Sequence, residues 1–144
     1  MATITTTLTT QFKQDCLDGV HQPGDVYKLI LIKPGFATNW DATAATYAGA
    51  GSMADEVATG GGYAQGGIAL SGRTSGQNAG GGYVDFADIS VSASTISAAG
   101  ALIVNTTRSN KICSCHDFGG TITSTNDVFS ITIPATGTGL LRFN

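Results

Sequence analysis

Cys113-Ser114-Cys115-His116, with His21 far upstream as a possible fourth ligand, is the run in this chain whose residue types could hold a metal ion. Tetrahedral zinc sites usually space their cysteines by about two to four residues on a turn, so that both thiolates fold onto one ion. Here the surrounding residues read as a strand. Such a strand puts the Cys113 and Cys115 side chains on one face, too far apart to bridge, and sends His116 to the other. The reading is free thiols, with no metal and no cofactor. Gly49-Ala50-Gly51-Ser52-Met53-Ala54 has the glycines of a dinucleotide fingerprint, but that motif works only between a buried strand and a helix N-terminus, and no buried strand precedes Gly49. A hydrolytic triad would need His21 or His116 beside a nucleophile on a sharp turn, and Gly-x-Ser-x-Gly does not occur. Asp85 and Asp88 could form a carboxylate pair or bind calcium, yet Asp85 sits between Val84 and Phe86 on an alternating strand and is expected to face water. Trp40, Tyr47, Tyr63 and Tyr83 could line a sugar-binding platform, although packing in cores and interfaces is the commoner use of such rings. The chain reads as a non-enzyme that works through its surface.

The elements that must present that surface are mostly strands. Thr3 to Thr10 alternates weakly around Ile4 and Leu8 and is rich in β-branched Thr, so it is a first strand or an extended arm. Gln11 to Asp18 is the helix candidate: Phe12, Cys16 and Leu17 recur at helical spacing, Thr10 can cap the start, and Gly19 can end it in the left-handed conformation. Val26 to Lys33 is nearly continuous in apolar residues and suggests a strand buried on both faces. Residues 37 to 62 lose periodicity in a long Gly-, Ala- and Thr-rich excursion, with one short strand expected near Asp55 to Ala58. Alternation returns from Gly62 to Ser71, and Ser71 to Gly82 reads as a flexible connection. Tyr83 to Val91, Ala101 to Val104, Lys111 to Phe118, Asp127 to Ile133 and Gly139 to Asn144 complete about eight strands, with Asn105 to Asn110 as a hairpin connection. The expectation is an all-β, two-sheet sandwich of jelly-roll type with one short helix: residues 1 to 10 as a strand or arm, and residues 11 to 144 as a single domain.

The 144 residues suit one domain, since domains of roughly 100 to 150 residues are commonest. Charged residues make up 12%, against about 25% in ordinary soluble proteins. A surface this neutral suggests contact with other subunits, because exterior charge normally keeps monomers apart. The net charge is −3 and the seven Lys and Arg are scattered, which argues against nucleic acid as a partner. No apolar run approaches the roughly 18 residues of a membrane span, and Met1 to Thr10 does not read as a signal peptide. The expectation is a chain made in the cytosol with no membrane partner.

Several segments together resemble a group of small tailed-bacteriophage virion proteins. They are Phe12-Lys13-Gln14-Asp15 with Leu17 to His21, Tyr27 to Ile32, Gly62-Tyr63, Gly66 to Gly72, Tyr83-Val84-Asp85-Phe86-Ala87, Ala99 to Asn105, Asp117-Phe118-Gly119 and Phe129 to Pro134. The resemblance covers most of the chain. It implies a structural component of the particle, most nearly a capsid cement or decoration protein on the outer capsid surface. Such a protein would bind as a dimer or trimer across the seams between major capsid protein subunits, with no catalytic residues. A tail or fibre component could share these patterns, and a carbohydrate-binding module is the rival from another class. On this reading the contact residues are the Thr-rich arm, Thr3, Ile4, Thr5, Thr6, Thr7 and Leu8, whose unpaired backbone could extend a neighbouring sheet, and the excursion residues Trp40, Tyr47 and Met53. Deleting the first ten residues is expected to leave the fold soluble.

Overall fold

A computed structural model of the protein describes residues 5–35, 46–49, 54–134 and 140–143. Thr3, Ile4, Trp40 and Met53 lie outside the described residues. The elements in chain order are β1 (Thr5–Leu8), α1 (Thr10–Leu17), β2 (Tyr27–Ile32), β3 (Ile68–Ala69), β4 (Thr74–Asn78), β5 (Gly81–Asp85), β6 (Ile89–Ser94), β7 (Ser97–Asn105), β8 (Lys111–Thr123), β9 (Asp127–Ile131) and β10 (Leu141–Phe143). They form an all-β sandwich. A five-stranded antiparallel sheet in the order β1-β8-β7-β2-β3 is one layer. A three-stranded sheet, β10-β5-β4, and a two-stranded sheet, β6-β9, pack against it.

The main core lies between these layers. Leu29 and Leu31 of β2, Ala101 and Ile103 of β7, and Cys113 and Phe118 of β8 meet Phe86, Ile89, Phe129 and Leu141, with Phe12 of α1 closing one end. Each large apolar side chain buried this way contributes roughly 1.5–3 kcal/mol. The alternate residues of the same strands, Ile30, Ile32, Leu102, Val104, Ile112 and Cys115, form a second cluster with Tyr47 on the opposite face. Both faces of β2 are thus covered, as its unbroken apolar run requires.

The β7–β8 hairpin is the longest pairing and carries two irregularities. Its register passes from Ile103↔Ser114 to Val104↔Ile112, leaving Cys113 as an extra bulged residue. That bulge overturns the expectation that Cys113 and Cys115 share a face: Cys113 enters the main core and Cys115 the second cluster. A second shift lies between Ala98↔Ile122 and Gly100↔Asp117.

Other expectations change as well. Helix α1 is capped by Thr9, not Thr10; the Thr9 hydroxyl accepts from the Phe12 N–H at 3.0 Å. It also donates to the Ile112 carbonyl at 2.7 Å, so one buried side chain satisfies the helix start and fixes it to β8. Leu17 is 90% exposed, and the inward residues of the helix are Phe12 and Asp15. The stretch Ser71 to Gly82, read as a flexible connection, contains β4 and enters a hairpin with β5. Tyr83 to Val91 is two strands, β5 and β6, belonging to different sheets. Asp85 is buried at 6% exposure and accepts from the Phe86 N–H at 2.9 Å, so it does not face water. Residues 5 to 8 are an integral strand paired with β8, and Thr9 is fully buried. A deletion through residue 10 would therefore remove a strand and a cap.

Candidate functional site

β1 occupies one end of the large sheet and has a strand on one side only among the described residues. The Thr9 N–H donates to the Cys113 carbonyl at 3.1 Å, which makes the Thr9–Cys113 position a hydrogen-bonded pair. The same register runs through Leu8↔Ser114, Thr7↔Cys115, Thr6↔His116 and Thr5↔Asp117. Hydrogen-bonded and non-bonded pairs alternate along an antiparallel ladder. Thr7 and Thr5 therefore bond to β8, while the backbone N–H and C=O groups of Thr6 and Leu8 point outward.

Beside this edge lies a groove of about 480 Å³ lined by Thr6, Thr7, Leu8, Lys13, Arg142 and Phe143. Among the described residues its lining holds two cations and no carboxylate. The Arg142 guanidinium is steadied by Asn78, to whose side-chain oxygen it donates at 3.1 Å. Phe143 is 40% exposed and stacks on Phe12 with ring centroids 5.8 Å apart. An extended segment laid here would meet outward backbone partners from β1 and positive charge from α1 and β10.

Behind the edge a polar cluster ties α1 and the following turn to the β7–β8 hairpin. Lys111 donates to Asp15 Oδ1 at 3.0 Å and forms an ion pair with Oδ2 at 2.8 Å, and Gln11 donates to Oδ1 at 2.8 Å. Burial alone would raise the Asp15 carboxyl; these bonds outweigh it and hold it below the usual range. Arg108 grips Asp25 at 2.9 to 3.1 Å, and its hydrogen bonds hold the Asp25 carboxyl far below the ordinary value. The Asn105 amide nitrogen donates to Asp25 at 2.8 Å and lies 2.9 Å from His21 Nδ1. Nδ1 must then accept, which places the imidazole proton on Nε2, 3.5 Å from Asp15. Desolvation keeps the His21 pKa low despite Asp15 and Asp25 nearby.

His116 belongs to a separate place, between the Thr6 hydroxyl at 3.0 Å and the Ser114 hydroxyl at 2.8 Å. Burial lowers its pKa to about 4, so it is neutral near pH 7. The two histidines share no partner, and the bulge separates the thiols that the sequence places together. No disulfide joins Cys16, Cys113 or Cys115 to another described residue. Burial pushes the Cys16 thiol up to about 11 and the Cys113 thiol higher still, so neither is a ready nucleophile. Among the described residues no group of three or more His, Cys, Asp or Glu is arranged to hold a metal ion.

Two of the four rings weighed as an aromatic platform are internal. Tyr47 and Tyr63 are 4% and 2% exposed, and both hydroxyls donate to Glu56, at 2.6 and 2.8 Å. Tyr47 is therefore an internal anchor, corrected from an exposed contact residue. Sequence reasoning passed over Glu56 because nothing near it in the chain signals burial. Its donors, Tyr47, Tyr63 and the Gly66 N–H at 2.8 Å, come together only in the fold. Compared with known protein families, curated proteins and solved structures, the chain matches none.

Proposed function

We propose that this chain is a structural protein of a tailed-phage particle, a cement protein that binds the outside of the capsid across major capsid protein subunits and associates with copies of itself as a dimer or trimer. The observation that carries this reading is the edge of β1, which no described strand covers, beside a groove lined by Lys13, Arg142 and Phe143. A free sheet edge is a template for a partner strand, and main-chain hydrogen bonds then supply affinity while flanking side chains select the partner. The groove suits an extended, acidic segment. The 12% charged composition and the segmental resemblance to phage virion proteins support the same reading. A cement protein stabilises a shell by mass action, since it binds the assembled lattice and not the free subunits. Several weak contacts on one oligomer add through effective concentration.

The test is a pair of gatekeeper lysines. Thr5→Lys with Thr7→Lys leaves the bonds to β8 in place and puts two charged side chains along the edge, a device that blocks strand addition. The expected outcome is an unchanged fold by circular dichroism and a loss of co-sedimentation with undecorated phage shells, from which the unmodified chain pellets. Equal pelleting of both proteins would remove β1 as the contact.

A further inference from the structure

A second concavity lies between α1, which contributes Phe12 and Cys16, and the β10-β5-β4 sheet. It has a volume of about 240 Å³, and its walls include Phe12, Tyr27, Tyr83 and Phe143, with Arg73 at one side. Gly76 and Tyr83 are a cross-strand pair, and a Cβ at Gly76 would sit 2.7 Å from the Tyr83 hydroxyl. Glycine at this position is what lets the Tyr83 ring lie down across β4 and form a wall.

Arg73 is the unusual member. Arg108 and Lys111 each have a carboxylate, Asp25 and Asp15. Among the described residues no carboxylate pairs with Arg73, and its Nε is buried without a hydrogen-bond partner. A buried guanidinium N–H left unmade is costly, and natural structures rarely tolerate one without an acceptor from water or a ligand. A single planar guanidinium matches one carboxylate in a two-pronged contact. Four aromatic walls favour a flat apolar body and disfavour a strongly hydrated anion such as phosphate. The volume falls below the roughly 300–1,000 Å³ of sites for drug-sized ligands, which limits the occupant to about one ring and its acid group.

We propose that this cleft is a binding site for a small aromatic carboxylate, with Arg73 taking the acid group and Phe12, Tyr27, Tyr83 and Phe143 enclosing the ring. The site is independent of the capsid reading, and its failure would leave that reading untouched.

The experiment titrates the full chain with phenylacetate, with neutral phenylacetamide and with acetate, by calorimetry and by NMR of the Arg73 Nε–H. Phenylacetate should saturate, shift the Arg73 resonance, and bind about tenfold or more tightly than either control, the worth of a charge-assisted contact. Arg73→Leu should abolish that preference without lowering the melting temperature, because Arg73 makes no ion pair among the described residues. Phe143→Leu should weaken phenylacetate while keeping its preference over phenylacetamide. Equal binding of acid and amide, or no saturable shift at Arg73, would overturn the proposal. So would an Arg73→Leu protein that loses stability but binds phenylacetate as before.

Discussion

Glu56 is wholly buried and satisfied by dipoles: two phenols and one backbone amide donate to its oxygens. Burial and the neighbouring carboxylate raise both phenol pKa values, so the tyrosines stay protonated donors. Tyr47→Phe leaves Oε2 with no donor from Tyr47, and the expected cost is about 2 kcal/mol in urea unfolding. Combining it with Glu56→Gln should cost less than the sum of the single changes, since the two groups share one bond. Additive effects would deny the coupling. His116 gives a pH prediction. Its folded pKa, about 4, lies below the ordinary 6.5, so the unfolded chain takes up the proton first as pH falls. The stabilisation is complete above about pH 6.5 and is lost towards pH 4, by at most about 3 kcal/mol. His21 shifts in the same direction, whereas Asp15 and Asp25 hold their contribution until pH drops below the normal carboxylate range. Urea midpoints measured from pH 7.5 to 4 should fall steeply for the native chain and less steeply for His116→Gln. Identical slopes would contradict the burial argument.

At the scale of elements, the edge of β2 beyond β3 is closed by loop backbone and one phenol. The Leu31 N–H donates to the Tyr63 hydroxyl at 3.1 Å, and the Leu31 carbonyl accepts from Val57 at 2.9 Å. Gly67, just before β3, runs close against β2: it has φ of +87°, and a Cβ there would collide with the Ile30 side chain and lie 2.7 Å from the Leu29 carbonyl oxygen. Gly35 has the same φ, and among the described residues nothing lies within 4 Å of a Cβ there, which makes it a control. Gly67→Ala should cost about 3 kcal/mol and Gly35→Ala about 1 kcal/mol by chemical denaturation, the difference being the steric term. Equal costs would mean the close approach is unimportant. The same contrast between local and distant causes explains what the sequence reveals. β2 and the β7–β8 hairpin are legible because Leu29 to Ile32 and Ala101 to Val104 are apolar and β-rich on both faces. β4 is not, because Thr74-Ser75-Gly76-Gln77-Asn78 has no apolar residue and is a strand only through its pairing with β5. The bulge at Cys113 is set by how β7 registers on β8, and Glu56 by donors from separate segments, so neither candidate site geometry could be read from spacing. The Thr-rich edge was legible, since repeated β-branched residues at Thr5 to Thr7 favour extension whether or not a partner is present.

At the scale of the whole molecule, the described residues of the sandwich leave one side of β1 without a strand and place two cations and an exposed phenylalanine beside it. On the proposed reading, this arrangement serves addition to a larger sheet. The measurement that bears most directly on this is cryo-electron microscopy of undecorated tailed-phage shells mixed with the purified chain. The predicted result is additional density at symmetry-equivalent positions over the junctions between capsid subunits, with β1 facing the shell, and a rise in the temperature at which the shells rupture. Bare shells at saturating protein, or density confined to tails, would contradict it.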